Sequence, residues 1–286
     1  MQLTPRNTPD ASVTTIENGW RLEIPAGPAG KYRLAQLDNY RKNLPLSAPS
    51  ILRLRCRVSP PIFAQSNSAP EENEDGRKWG ERGGLPGTWG FGFWNDPFTV
   101  SLGLQGTARR LPVLPNAGWF FHASKANHLS LRPPAPAGGP QGSFPAQGFL
   151  AQSFSSPKIP SLLLAPGLLT LPLLGWKPSA NWIRAMAGKI IREDATCLEL
   201  DVTQWHEYQL KWSLDHVEYF VDGQVVFETA VSPKGPLGLV IWIDNQFASF
   251  TPDGQIKAGT EANPVPAWME ITDFAISPAP DSLPRL

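Results

Sequence analysis

The sequence predicts an all-β sandwich, and three observations carry the prediction. The C-terminal third reads WHEYQLKWSLDHVEYFVDGQVVFET, GPLGLVIWIDNQF and AWMEITDFAIS, short apolar runs divided by turn residues at the regular spacing of a sandwich. The chain holds 31 Pro and 25 Gly with only 17% charged residues, a mix that suits short strands joined by many turns. A hydrophobic fraction of 41% is enough to build a sizeable core. All-β units commonly reach roughly 200–250 residues, so one domain over 1–286 is expected, with an insertion at about 133–192 and a tail at 278–286.

The elements follow in order. VTTIENGWRLEIPAG carries two short alternating runs around Asn18-Gly19, a hairpin signal. In ILRLRCRV, from Ile51 to Val58, Arg53, Arg55 and Arg57 alternate with apolar residues, so a half-exposed strand with a solvated arginine face is expected. The polar, glycine-rich stretch from Gln65 to Gly84 reads as a surface loop. GTWGFGFW puts Trp89, Phe91 and Phe93 on one strand face and Gly90 and Gly92 on the other. Strand glycines mark a place where something approaches the backbone closely or the sheet bends. Trp119 to Ala123 is another aromatic strand. VEYFVDGQVVFE reads as two strands around Asp222-Gly223, the signature of a type I′ turn.

One region breaks the pattern. Residues 160–175 form an apolar segment near the length of a membrane span, but prolines at 160, 166 and 172 leave a spanning helix unable to satisfy its own backbone. The segment reads as an inserted flap. PSANWIRAMAGKIIRED after it reads as one short helix, with Trp182, Ile183, Met186 and Ile190 at near-helical spacing.

Composition excludes several functions. With 25 Lys+Arg against 25 Asp+Glu there is no basic footprint for nucleic acid. Cys56 and Cys197 are too few for a disulfide framework and lack zinc-ligand spacing, leaving two free thiols or a single bridge. The start MQLTPRNTPD lacks the basic and apolar runs of a secretory signal, so the chain as written is expected to stay in the cytoplasm. There is no P-loop, GxGxxG, HExxH or GxSxG pattern.

GTWGFGFW, WHEYQLKWSLDHVEYFVDGQVVFET and AWMEITDFAIS, in this order along the chain, resemble strands of the concanavalin A-like lectin/glucanase superfamily, in particular family 16 glycoside hydrolases. The resemblance covers about half the chain. It implies a jelly roll of two curved antiparallel sheets whose concave face holds a carbohydrate chain. Pyranose rings present apolar C–H faces that pack on aromatic rings, while their hydroxyls need amides and carboxylates nearby. Trp89, Phe91, Phe93, Trp94, Trp119 and Trp242 are the candidate rings, each of them also a candidate for the core. Asn245 and Gln246 are the candidate amides.

The family's Glu-x-Asp-x-Glu strand is absent. No carboxylate lies between Asp96 and Glu193, and the expected strand, NAGWFFHASKANHLSLR, has aromatics, His122 and small residues in those slots. Retaining hydrolysis needs two carboxyls about 5–5.5 Å apart, which alternate positions on one strand supply. A family-type retaining glycosidase is therefore not expected. His122 and Asp244 are the candidate acid/base residues for any other chemistry, Asp244 sharing a strand face with Trp242. Asp273 matches a position that helps hold a structural calcium in some family members, although such a site needs 6–8 oxygens; no other cofactor is implied.

Two functions follow. The first is a non-catalytic, lectin-like carbohydrate-binding protein with its ligand on the concave face. The alternative is an enzyme or binding protein for a small, partly apolar ligand in a pocket closed by the 160–175 flap. Burial of the flap in a homodimer contact is the third use of so apolar a segment.

Overall fold

The computed structural model describes residues 2–40, 44–60, 85–96, 113–128, 130, 146–160, 177–251 and 255–278. Its strands run β1 (Thr4–Asn7), β2 (Ser12–Ile16), β3 (Gly19–Ile24), β4 (Leu34–Asp38), β5 (Ser50–Val58), β6 (Thr88–Trp94), β7 (Ala117–Ala123) and β8 (Gly148–Ser155). The helix α1 (Lys177–Ile190) follows. Then come β9 (Arg192–Cys197), β10 (His206–Trp212), β11 (Val217–Val221), β12 (Gln224–Thr229), β13 (Gly238–Asp244), β14 (Gln246–Phe250), β15 (Ile256–Thr260) and β16 (Ala267–Pro278).

Two antiparallel seven-stranded sheets form, as expected. Sheet I has the order β1-β4-β13-β6-β7-β8-β9 and sheet II the order β12-β11-β10-β5-β16-β3-β2. β14 and β15 make a separate hairpin. Sheet II carries the alternation read from the sequence: Leu52, Leu54, Cys56 and Val58 point inward, while Arg53, Arg55 and Arg57 stand on its outer face. There Arg57 pairs with Glu270 at 2.8 Å and lies over the Trp205 and Trp268 rings. The β11–β12 turn has positive φ at both Asp222 (49°) and Gly223 (78°), the geometry that a two-residue type I′ hairpin requires.

The core lies between the sheets and is largely aromatic. Phe91 meets Tyr208 at 5.1 Å, Phe93 meets Trp212 at 5.4 Å and Phe120 meets Tyr219 at 5.3 Å, each pair joining sheet I to sheet II. Offset and edge-on pairs of this kind add about 0.5–1.5 kcal/mol each beyond burial. The Tyr219 hydroxyl, which must find a partner so deep in the core, donates to Gln152 O at 2.6 Å and so ties the two sheets by a polar bond.

One expectation needs correcting. Residues 148–155, placed within the 133–192 insertion, form β8 between β7 and β9 in sheet I. Gln152 and Ser153 interrupt its apolar alternation, but both are satisfied in place, by Trp119, Glu193 and Tyr219. The N-terminal residues 4–7, to which the sequence pattern assigns no element, form the edge strand β1 against β4. Helix α1 forms where its spacing predicted it. Apart from Pro160, the flap at 160–175 lies outside the described residues, as does the tail beyond Pro278. Both cysteines are free thiols, one in each sheet.

Candidate functional site

The strand register settles which residues share a face. Phe91 pairs with Ile241 and Phe120, and this row points into the core with its neighbours two residues away. Trp89, Phe91 and Phe93 are 1%, 0% and 0% exposed between the sheets. They are therefore core residues, and their expected role as ligand platforms is corrected. Alternation fixed their shared face correctly; it could not say which face was wet, because core aromatics and sugar platforms share the period of two.

The opposite, distal face of sheet I carries Trp94, Trp119 and Trp242, together with Phe121, Leu150, Phe154 and Val240. Gly90 and Gly92 lie on this face and make room for the indoles. A Cβ at Gly90 would stand 2.9 Å from Trp242 Cη2, and one at Gly92 would stand 2.6 Å from Trp119 Cβ. Trp119 is the hub, 5.2 Å from Trp94, 5.4 Å from Phe121 and 5.6 Å from Trp242 between ring centroids. The centre of this layer is closed, with Trp119 8% and Trp242 7% exposed, whereas Trp94 is half-buried.

Polar groups flank the aromatic layer on both sides. On the β1/β4 side, Arg6 Nε pairs with Asp38 Oδ2 at 2.7 Å and Gln36 donates to the same oxygen at 2.8 Å. On the β8/β9 side, Trp119 Nε1 donates to Gln152 Oε1 at 3.0 Å, and Gln152 Nε2 donates to Glu193 Oε1 at 3.0 Å. Five strand spacings separate Asp38 from Glu193, about 24 Å. That is too far for either to assist the other in glycoside cleavage.

A third polar cluster sits at the end of β13. Asp244 Oδ1 accepts from Thr88 N (3.2 Å), Thr88 Oγ1 (2.9 Å) and Gln246 N (3.1 Å). Burial outweighs these bonds and pushes its carboxyl up to about 7, with the Glu261 charge adding to the rise. Glu261, which sequence reasoning missed, accepts from Gly87 N at 2.6 Å and from the Ser124 hydroxyl, so the two carboxylates bind neighbouring amides of one chain segment. No motif could have flagged it, because Glu261 is brought there by the β14–β15 hairpin. Tyr32, with its phenol raised by burial and by the Asp244 charge, lies beside this cluster.

The remaining expected residues separate. His122 is stacked on Trp89 at 5.4 Å, 6% exposed, with Nδ1 unpartnered and its pKa pushed down to about 4 by burial. It points to the core, whereas Asp244 points to the distal face, so the expected acid/base pair of His122 and Asp244 does not form. Asn245 is fully buried and holds loops together: its Oδ1 accepts from Arg33 N at 2.8 Å and its Nδ2 donates to Lys31 O and Glu261 O. Both its N–H donors are taken and the side chain is out of reach of solvent, so it cannot serve as a ligand amide, which is a second correction. Gln246 is half-buried beside Asp244. Asp273 has a positive φ of 52° at a bulge of β16 and faces Arg55 at 3.8 Å. Among the described residues no three His, Cys, Asp or Glu side chains are grouped so as to hold a metal ion.

Among the described residues no helix is long and apolar enough to cross a membrane. No family model matches the chain, and no curated protein matches it. Solved structures do show similarity. A β-glucanase from Bacillus licheniformis is 9% identical, with 95% of this chain and 83% of that chain covered and a TM-score of 0.42. A prokaryotic β-1,3-1,4-glucanase (lichenase) derived from a mouse hindgut metagenome is 9% identical over 98% of this chain and 100% of its own, with a TM-score of 0.44. The laminarinase catalytic domain from Thermotoga maritima is 11% identical over 94% and 79%, with a TM-score of 0.41.

Proposed function

We propose that the protein is a non-catalytic, lectin-like saccharide binder whose ligand lies on the distal face of sheet I. One observation carries this reading: the half-open Trp94 ring meets Trp119 edge-on, and Trp119 leads through Gln152 to the carboxylate of Glu193. An indole serves the apolar sugar face and a carboxylate its hydroxyls, while the buried Gln152 amide holds the Trp119 indole and the Glu193 carboxylate in place. Hydrolysis is not part of this reading, because Asp38 and Glu193 stand too far apart to share one glycosidic bond. Isothermal titration against a panel of gluco- and galacto-oligosaccharides tests it. Binding by the native protein and a tenfold or greater loss in Trp94→Ala are expected; absence of binding to every sugar at millimolar concentration overturns the proposal.

A second reading is favoured by Asp244 and Glu261. Asp244, raised to about 7 by burial, can hold a proton near neutral pH, and a second carboxyl group, that of Glu261, is bound to the next amide of the same chain segment. In this reading the pair acts as acid and base on a small, partly apolar ligand next to Trp242. Aryl-glycoside or aryl-ester turnover that disappears in both Asp244→Asn and Glu261→Gln would replace the first reading with this one.

A further inference from the structure

Helix α1 presents an apolar stripe on the side turned away from the protein. Its inner side is fixed: Ala180 is fully buried, Ala187 packs on the aromatic layer of sheet I, and Arg184 donates to Phe250 O at 2.6 Å and to Ser130 O at 2.5 Å. Trp182, on the opposite side, is 65% exposed, and Met186 and Ile190, on the flank, are 38% and 37% exposed. The three follow one another at intervals of four residues, so they line one strip of helix surface. The strip is small beside the patches of several hundred Å² that mark large protein contacts, so its charge surroundings decide its occupant.

We propose that this strip docks the protein on an anionic lipid surface. Charge selects the occupant. From residue 97 to residue 192 the sequence contains nine Lys or Arg and no Asp or Glu, although the whole chain is neutral. Two of these cations, Lys189 and Arg192, are exposed at the end of α1 beside Ile190. A helix with Trp and aliphatic residues on one side and basic residues at its flank lies in the headgroup region, the apolar side chains entering the acyl boundary and the cations meeting lipid phosphate. A second copy of the chain is a poorer fit. Fourteen residues give a helix about 21 Å long and 10 Å wide, hence a face of about 200 Å² against roughly 800 Å² per partner in a stable dimer. The attachment is peripheral and consistent with the proline-broken apolar sequence that precedes α1.

Co-sedimentation of the full chain with phosphatidylcholine vesicles containing 30% phosphatidylglycerol tests the proposal, with pure phosphatidylcholine vesicles alongside. Binding at low salt, more than tenfold weaker on the neutral vesicles, is expected. The triple variant Trp182→Ser, Met186→Ser, Ile190→Ser changes only exposed side chains and is expected to stay folded by circular dichroism yet remain in the supernatant. Lys189→Glu with Arg192→Glu is expected to abolish the preference for the anionic vesicles. The proposal is overturned if the native protein does not sediment, or if the triple variant sediments like it. A native dimer by light scattering that the triple variant converts to a monomer also overturns it, since the strip would then be an interface between copies.

Discussion

Trp242 and Asp244 are bound to one hydroxyl: Trp242 Nε1 donates to Thr88 Oγ1 at 2.9 Å, and that hydroxyl donates to Asp244 Oδ1 at 2.9 Å. The indole in the aromatic layer is thereby coupled to the carboxyl at the strand end. Replacing Thr88 by Val keeps the shape and removes both bonds. Leaving a buried N–H and a buried carboxyl short of a partner costs about 1–3 kcal/mol. Thr88→Val is expected to lower the urea midpoint accordingly and to change the near-UV circular dichroism of the tryptophans, whereas Thr88→Ser is expected to restore both.

The pH dependence of stability is set by two buried groups with opposite signs. Asp244 titrates near 7 in the fold against an ordinary value of 3.8, so the folded state holds more protons between these values and stability falls as pH rises through that window. His122 titrates near 4 against 6.5, so there the unfolded state holds more protons and stability falls as pH drops. Each shift corresponds to roughly 3–4 kcal/mol, and between about pH 4 and 6.5 the two slopes largely cancel. Removing one group exposes the other. Asp244→Asn keeps an oxygen for the three donors and is expected to raise stability at pH 8 and to leave a variant that weakens on acidification. His122→Asn is expected to give the reverse, stability rising steadily from pH 7 to pH 4.5. Denaturant titrations at five pH values check both; equal slopes in the two variants would show that these groups are not the ones that titrate.

Phe91 and Trp94, three residues apart on β6, are expected to separate stability from binding. Phe91 is enclosed by Phe120 and Tyr208, and its truncation to Ala leaves a cavity in the core costing about 3–5 kcal/mol. Trp94 is half-buried, so Trp94→Ala is expected to cost less in stability and to take the sugar affinity with it. Calorimetric melting of both variants beside sugar titration measures the two effects independently.

How much of this was legible depended on whether local pattern or long-range context decided the matter. β5, the β11–β12 hairpin and β13 were readable because alternation, an Asp-Gly turn and an apolar run each encode one conformation locally. The faces of β6 were readable as a pair, but not their assignment to core and surface. That depends on Trp119 and Trp242 from neighbouring strands occupying the space above Gly90 and Gly92. β8 was hidden because Gln152 and Ser153 look like loop residues until their partners are known. Glu261 was invisible for the same reason: its role comes from Gly87 and Ser124, 174 and 137 residues away in sequence.

The glycines of sheet I provide a graded test of the close approach that shapes the distal face. At Gly118 an added Cβ would meet the Tyr219 hydroxyl at 3.5 Å, with Pro233 and Ser153 at 3.8 Å, which is ordinary contact. At Gly92 the added carbon would meet the backbone of β7 at Trp119 Cα, 2.5 Å away, and backbone in the middle of a sheet cannot retreat without breaking its ladder. At Gly90 the nearest side-chain atom is the tip of Trp242 at 2.9 Å, but Phe120 O at 2.5 Å again blocks relief. Gly118→Ala is therefore expected to be neutral within about 1 kcal/mol, since Ala also lowers the entropy of the unfolded chain. Gly90→Ala and Gly92→Ala are each expected to cost at least the 1–3 kcal/mol of overpacking. Gly92→Ala is further expected to shift Trp119 and hence to weaken binding at Trp94. Thermal melts order the three variants, and a Gly92→Ala protein as stable as Gly118→Ala would mean that β6 and β7 are not packed as closely as the register requires.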